Sequence, residues 1–423
     1  MKIAFVYVNN EENIGRGAGY IVGALKRAGA DVDFFNTLHT RSDKVAQIVI
    51  EGSYDFLMIS TMTMLFPIVL RFISLIKKSK NIPVLIGGIH PTIFGAELME
   101  KNLDIDYLCV GEGESMVIQF IEKFGTEEFY SIKNLVYRKD GKVITNPIRL
   151  PEDLSQLADF PWELFPKKAV ILPDTGFCYV HATRGCPYNC SYCCNGIYLK
   201  KYGKNYLRFI PVEKVINELL FLKKKYSPSL FYFGDEMLFF NNDYVKELGT
   251  AIYKTVKIPY GCMIRVEYMS EATAEFLKNT GCRYIGMGIE CGDENFRKKY
   301  LNRKMKDFQI KEAFRIVKKI GIFVTSFNMI GYPFEYDAAL TGKTIELNKI
   351  IRPDFSQFSI FYPFPGTKLY KHCIDNELID FDKYNKTYHY FEDSVIKGYQ
   401  LKDKLIELNS ELNPAGFNFV NNF

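Results

Sequence analysis

The chain has 423 residues, 48% hydrophobic and 24% charged, which is enough for two or three domains with sizeable cores. Its 54 basic and 49 acidic residues leave a dispersed net charge of +5, and the lysine clusters at 77–80 and 223–225 end helical patterns, where cations favour the helix C-terminus. Charge therefore gives no support to nucleic-acid binding. No apolar run reaches the roughly 18 residues of a membrane span, and the start MKIAFVYVNN lacks a signal-peptide cleavage pattern. The expectation is a cytoplasmic protein, in which cysteines serve as metal ligands or catalytic groups before disulfides.

Residues 1–128 alternate short apolar runs with helical stretches. KIAFVYV (2–8), DVDFFNT (31–37), DFLMIST (55–61), PVLIGGI (83–89) and DYLCVGEGE (106–114) read as strands, separated by helical patterns such as 18–28 and 65–79. This predicts an α/β domain, a doubly wound parallel sheet of the Rossmann or flavodoxin type, with ligands at the carboxyl ends of its strands. Gly15, Gly17, Ser60, Thr61, Gly87, Gly88, Gly111, Glu112 and Gly113 fall in the turns at those ends. GRGAG by itself is a poor dinucleotide fingerprint, so a domain with another ligand or none stays open on pattern alone.

Residues 129–176 form a proline-punctuated linker with a hairpin predicted to turn at Asp140-Gly141. From 177 to 370 the alternation resumes: CYVHAT, LFYFGDE, YGCMIRV, YIGMGIE, FVTSFNMIG and FSQFSIFYPF predict six βα units and a partial (β/α)6 barrel. Its best-defined helix is 307–320, where Asp307 can cap, Ile310, Ala313, Phe314, Val317 and Ile320 share a face, and Gly321 stops. Residues 371–423 form an extension whose role the pattern leaves unassigned.

TRGCPYNCSYCCN (183–195) holds four of the ten cysteines. Cys186, Cys190 and Cys193 have the spacing C-x3-C-x2-C directly after the first barrel strand. Three thiolates from one loop suit a soft metal site. A structural zinc would want a fourth ligand, usually from a second pair, and no second C-x2-C exists. Three thiolates with one vacant corner suit a 4Fe-4S cluster whose fourth iron is left for a small molecule; zinc and unliganded thiols are the alternatives. Cys194 then reads as a small buried thiol.

RGCPYNCSYC resembles the signature loop of the radical S-adenosylmethionine (SAM) superfamily, including Tyr192 before the last cysteine. FYFGDEMLF resembles the superfamily's Gly-Gly-Glu segment with Asp235 for the second glycine, and GMGIECGDE its Gly-Ile-Glu-Ser-Gly segment with Cys291 for serine. MIGYPFE and FYPFPGTKLY resemble the fifth and sixth strand ends. The resemblance implies that Cys186, Cys190 and Cys193 bind three irons and that SAM chelates the fourth. It further implies that Gly234, Asp235 and Glu236 meet the SAM amino group largely through backbone carbonyls. Glu290 would bind the ribose, Tyr192, Ile330 and Gly331 would flank the adenine, and Arg265 could pair with the SAM carboxylate.

The N-terminal loops, in order and spacing, resemble the cobalamin-binding domain that precedes the barrel in one radical SAM subgroup. Residues 9–19 contain no histidine, so the resemblance implies a base-off, His-off cobalt; His90 in GGIHPT is expected to pack near the nucleotide tail rather than to ligate. The expected function is C-methylation of an unactivated carbon of a small-molecule substrate, through a deoxyadenosyl radical and methylcobalamin. An external electron donor such as flavodoxin or ferredoxin is implied, with no nucleic-acid partner. The alternatives are a cobalamin-dependent cyclase or rearrangement enzyme, and a non-catalytic cobalamin and iron–sulfur carrier or sensor. A tRNA methylthiotransferase is disfavoured, because the N-terminal domain offers only Cys109 where three ligands would be wanted.

Overall fold

Ile3, Ala4, Phe5, Val6 and Tyr7 are all buried, the pattern of a central strand covered on both faces. They form β1 (Lys2–Tyr7) in a computed structural model that describes residues 1–9, 15–38, 40–389 and 391–413. The expected loop content at 10–14 lies outside the described residues. The chain divides into two compact units, Met1–Val170 and Ile171–Phe423.

In the first unit β1 joins β2 (Asp31–Asn36), β3 (Phe56–Ser60), β4 (Val84–Gly87), β5 (Tyr107–Cys109), β6 (Leu135–Lys139) and β7 (Lys142–Thr145). The sheet order is β2-β1-β3-β4-β5-β6-β7; the first five strands are parallel and the last two antiparallel. The order reverses at β1, and the crevice at such a switch point is where open α/β sheets bind ligands. The hairpin turns at Asp140 and Gly141, both with positive φ (50° and 73°), as a type I′ turn requires. It extends the sheet, so residues up to Val170 fold with the first unit.

Two glycines explain how the proline-punctuated segment lies down. A Cβ at Gly19 would stand 2.2 Å from the Phe160 ring, and one at Gly23 would stand 2.8 Å from the Asp159 carbonyl oxygen. The helix Arg16–Arg27 thus offers a glycine groove to residues 158–161. Arg16 caps the contact, its guanidinium 4.8 Å from the centre of the Phe160 ring and 5.3 Å from that of Trp162.

The second unit contains β8 (Phe177–Val180), β9 (Thr183–Arg184), β10 (Arg208–Phe209), β11 (Leu230–Phe233), β12 (Tyr260–Met263), β13 (Cys282–Glu290), β14 (Phe323–Ile330) and β15 (Phe355–Ile360). Six of these form a curled, all-parallel half barrel in the order β15-β14-β13-β12-β11-β8, and β9 pairs antiparallel with β10. Phe177, Leu230, Tyr232 and Tyr284 pack together inside it. Asp307 does not cap its helix: the helix is Asp307–Lys319 with Lys306 at the cap position, and Asp307 Oδ1 instead accepts from Arg297 Nη2 at 2.5 Å. A fully buried arginine outcompetes a backbone N–H for that carboxylate because a buried charge must be paired.

The C-terminal extension closes the open edge. In the helix Lys402–Glu411, Leu405 and Leu408 pack on Ile330, Phe358 and Ile360. Asn409 Oδ1 accepts from Phe358 N (3.2 Å), while Asn413 accepts from Ser356 N (2.7 Å) and donates to Ser356 O (2.8 Å). Side-chain amides spaced four residues apart thus stand in for a neighbouring strand at β15. The double substitution Asn409→Ala, Asn413→Ala should destabilise the protein by about 2–3 kcal/mol in urea unfolding, whereas Lys404→Ala, which breaks only an exposed pair with Glu407, should cost about 0.5 kcal/mol or less.

Candidate active site

The cysteine loop leaves the half barrel just after β8, and a buried carboxylate holds its root. Asp235, 1% exposed, accepts on Oδ1 from Ala182 N (2.8 Å), Thr183 N (2.5 Å) and Thr183 Oγ1 (2.6 Å). Its Oδ2 has no partner among the described residues. Burial pushes its pKa up to about 7 in spite of those donors. The acid that replaces a glycine of the family segment therefore points its side chain at the cysteine strand, which leaves its backbone for any ligand. Gly234 is beside it, and a Cβ there would still be 3.5 Å from His181 Nε2. Glu236 is exposed.

The loop itself is clamped from three sides. Ser191 N donates to Leu301 O (3.1 Å), Asn302 Nδ2 to Asn189 O (2.7 Å), and Leu369 N to Ser191 O (3.0 Å). Gly185, at φ 98°, lies so close to Tyr206 that a Cβ would be 2.4 Å from its carbonyl oxygen. Burial pushes the Cys186 thiol up to about 11 and raises that of Cys190, while a hydrogen bond with Cys194 lowers that of Cys193. Donors face two of the sulfurs: Arg265 Nη1 is 4.0 Å from Cys190 Sγ, and Asn195 Nδ2 is 3.7 Å from Cys193 Sγ. No three His, Cys, Asp or Glu side chains among the described residues converge as ligands of one ion. A cluster asks for less, since each thiolate meets its own iron. Three thiols on a clamped loop, with N–H donors on the sulfurs, fit a 4Fe-4S cluster.

Further along the strand ends, Glu290 terminates β13 at φ 68°, a strained conformation for a non-glycine residue of the sort concentrated at functional sites. Arg303, 6% exposed, holds it: Nη1 donates to Glu290 Oε1 and Tyr192 Oη, both at 3.2 Å, and Nη2 to Gly288 O at 2.6 Å. Nothing in the sequence pattern marks Arg303, which sits in YLNRKM beyond the matched segment. Gly292 is required by space: a Cβ would lie 2.2 Å from the Lys343 carbonyl oxygen.

Gly331 follows β14 at φ 79°, and its N–H donates to Asp337 Oδ2 (3.2 Å) while Tyr332 N donates to Oδ1 (2.7 Å). Asp337, whose pKa burial pushes up to about 6, thus fixes the turn expected to flank adenine; its only sequence signal is an acid at the start of a helical pattern. Ile330 is buried against Leu405 and Leu408, so only its backbone faces the strand ends. Arg265 Nη2 pairs with Glu267 (2.5 Å), its guanidinium lies 3.8 Å from the centre of the Tyr188 ring, and its Nε is buried without a partner among the described residues. A charged fork with one unused buried N–H can receive an anionic ligand.

In the first unit the expected cobalamin residues lie along the carboxyl ends of β1, β3, β4 and β5. Ser60 and Gly87 are the last residues of their strands, and Thr61 N donates to Gly87 O (3.1 Å). Gly88, at φ 104°, would place a Cβ 2.3 Å from Thr61 O, and Gly111, at φ 96°, donates to Thr92 Oγ1 (2.9 Å). Asn134 Nδ2 donates to Glu112 O (2.7 Å). A Cβ at Gly113 would meet Ile21 at 2.9 Å, whereas around Gly17 the space is open and around Gly15 it is filled by Tyr7. Gly15, Gly88 and Gly113 are thus required by close packing within the unit, and the place of these turns at the strand ends beside the switch point fits a nucleotide-bearing cofactor such as cobalamin. His90 is buried, stacked on Phe66 at 3.9 Å, and burial pushes its pKa down to about 3; it is a neutral imidazole inside the unit.

Residues 180–341 match the Radical SAM superfamily and residues 10–121 the B12 binding domain. An uncharacterized methyltransferase of Pyrococcus horikoshii is 28% identical over 304 residues, 71% of this chain and 65% of that protein, so this chain spans just under two thirds of that relative's length. The anaerobic magnesium-protoporphyrin IX monomethyl ester cyclase of Rubrivivax gelatinosus is 23% identical over 91% of this chain and 72% of its own. The solved structure of the radical S-adenosylmethionine methyltransferase TsrM from Kitasatospora setae, with cobalamin and a 4Fe-4S cluster bound, has a TM-score of 0.72 at 14% identity, covering 89% of this chain and 78% of that one. At that identity the likeness is one of fold.

Two outcomes follow for the apoprotein. Arg303→Met should destabilise it by about 3–5 kcal/mol in urea unfolding, because Glu290 loses the partner of its half-buried charge. Asp235 ionises near 3.8 in the unfolded chain but near 7 in the fold. Its contribution to stability is therefore complete below pH 4 and falls away as pH rises to 7, by roughly 2–4 kcal/mol. Asp235→Asn keeps the acceptor without the titration, so it should gain stability over the unaltered protein between pH 5 and pH 8; equal pH dependence in the two proteins would contradict the assignment.

Proposed function

The chain belongs to the cobalamin-binding radical SAM superfamily, and on that premise we propose that it is a C-methyltransferase acting on an unactivated carbon of a small-molecule substrate. The observation that carries this is the clamped loop of Cys186, Cys190 and Cys193 in C-x3-C-x2-C spacing, next to a buried arginine N–H that has no partner among the described residues. When bound, the cluster with SAM supplies a substrate-activating radical, and cobalamin supplies the methyl group.

The chain's own residues supply position and exclusion of water. Cys186, Cys190 and Cys193 would bind three irons. Arg265 would receive the SAM carboxylate on its remaining N–H, and the backbone of Gly234, Asp235 and Glu236 its amino group. Glu290, aimed by Arg303, would accept from the ribose hydroxyls, with Tyr192 and the Ile330-Gly331 backbone beside the adenine. In the first unit the rim of Gly15, Gly17, Ser60, Thr61, Gly87, Gly88, Gly111, Glu112 and Gly113 would hold cobalamin. No imidazole lies between residues 9 and 19, which suits a base-off, His-off form. An external one-electron donor of the flavodoxin or ferredoxin kind would reduce the cluster. No helix among the described residues is long and apolar enough to cross a membrane, and we place the protein in the cytoplasm.

Ring closure without methyl transfer is the second function an observation favours, because the cyclase relative aligns over 91% of this chain. The protein should be reconstituted anaerobically with iron, sulfide and cobalamin, then given SAM and a strong reductant. Methyl transfer predicts both S-adenosylhomocysteine and deoxyadenosine, and ring closure predicts deoxyadenosine alone. A Cys186→Ala, Cys190→Ala, Cys193→Ala protein should bind no cluster and form neither. Neither product from a properly assembled parent would reject both functions.

A further inference from the structure

Asn195 opens the helix Asn195–Tyr202, two residues beyond Cys193. Its Nδ2 lies 3.7 Å from Cys193 Sγ, and its Oδ1 accepts from Tyr206 Oη at 2.6 Å. The two contacts define the amide's orientation: the opposite flip would turn Oδ1 on a sulfur that is a thiolate when it binds iron. Tyr206 is itself fixed. Its ring is buried and stacks on Tyr198 at 5.5 Å and 13°, and its carbonyl packs on Gly185, the residue before Cys186. Two residues later β10 pairs with β9, the strand that leads into the cysteine loop. The framework that positions the cysteines therefore also positions the donor to one of them.

We propose that Asn195, held in orientation by Tyr206, is a positioning residue that raises the reduction potential of the cluster by donating to the Cys193 thiolate. An N–H aimed at a ligand sulfur favours the reduced cluster, which carries one more negative charge than the oxidised one. The external donor thus delivers its electron at a potential set in part by an amide outside the three ligands. Asn195 is uncharged, so the effect should be independent of pH across the neutral range, unlike one produced by a lysine or histidine. The proposal rests on the assignment of the cluster to Cys186, Cys190 and Cys193.

The test is an anaerobic redox titration of the reconstituted protein, followed by electron paramagnetic resonance of the reduced cluster. Asn195→Ala should lower the reduced-to-oxidised ratio about tenfold at a fixed solution potential, a shift of about 59 mV for a one-electron couple. Tyr206→Phe keeps the ring stack and removes only the hydroxyl; it should shift the ratio the same way by about threefold. Asn195→Ala with a full complement of iron and the parent's potential would overturn the proposal. If that variant loses iron, Tyr206→Phe decides, and a ratio indistinguishable from the parent's overturns it. Iron and sulfide analysis separates the two ideas: a parent without a cluster removes the functional assignment together with this proposal, whereas an intact cluster with no shift removes this proposal alone.

Discussion

Everything at the strand ends of the second unit depends on where the cysteine loop leaves the sheet, and one buried carboxylate sets that point. Asp235 takes three donors from Ala182 and Thr183, so the chain entering the loop cannot slide along β8 without losing all of them. In a water-poor site such directional hydrogen bonds hold geometry more firmly than apolar contact would. The loop beyond is held by hydrogen bonds to Leu301, Asn302 and Leu369, so segments far apart in the chain converge on the eight residues from Cys186 to Cys193, which carry three thiols.

The same economy recurs on the neighbouring strands. Three candidate ligand-binding turns have a side chain behind them that holds or aims them: the buried Arg303 behind Glu290 and Tyr192, the buried Asp337 behind Gly331, and the half-buried Asn195 beside Cys193. Where such a turn needs left-handed backbone or close approach, glycine occupies it, as at Gly331 and Gly292; where the side chain is needed, as at Glu290, the strain is accepted and the arginine holds it. A half barrel with its strand ends open must also protect its last strand. Asn409 and Asn413 do so with amide groups, and Leu405 and Leu408 bury the apolar part of the same helix under β14 and β15.

The order of the strands in each sheet came from the fold. The sequence by itself determined the succession of strands and helices in each unit, the hairpin at Asp140-Gly141, and the C-x3-C-x2-C loop with its neighbours at successive strand ends. These are short-range signals: apolar runs, turn residues and ligand spacing all lie within about ten residues, where side-chain chemistry and backbone preference act directly. Tertiary structure decided which side chains support them. Arg303 reaches Tyr192 across 111 residues, Asn413 reaches Ser356 across 57, and Asp307 pairs with Arg297 rather than capping its own helix. Gly19 and Gly23, to which the local pattern gives no role, admit the 158–161 segment. No local pattern encodes such pairings, because a buried charge or an unpaired edge selects its partner only after folding has brought distant segments within hydrogen-bond reach.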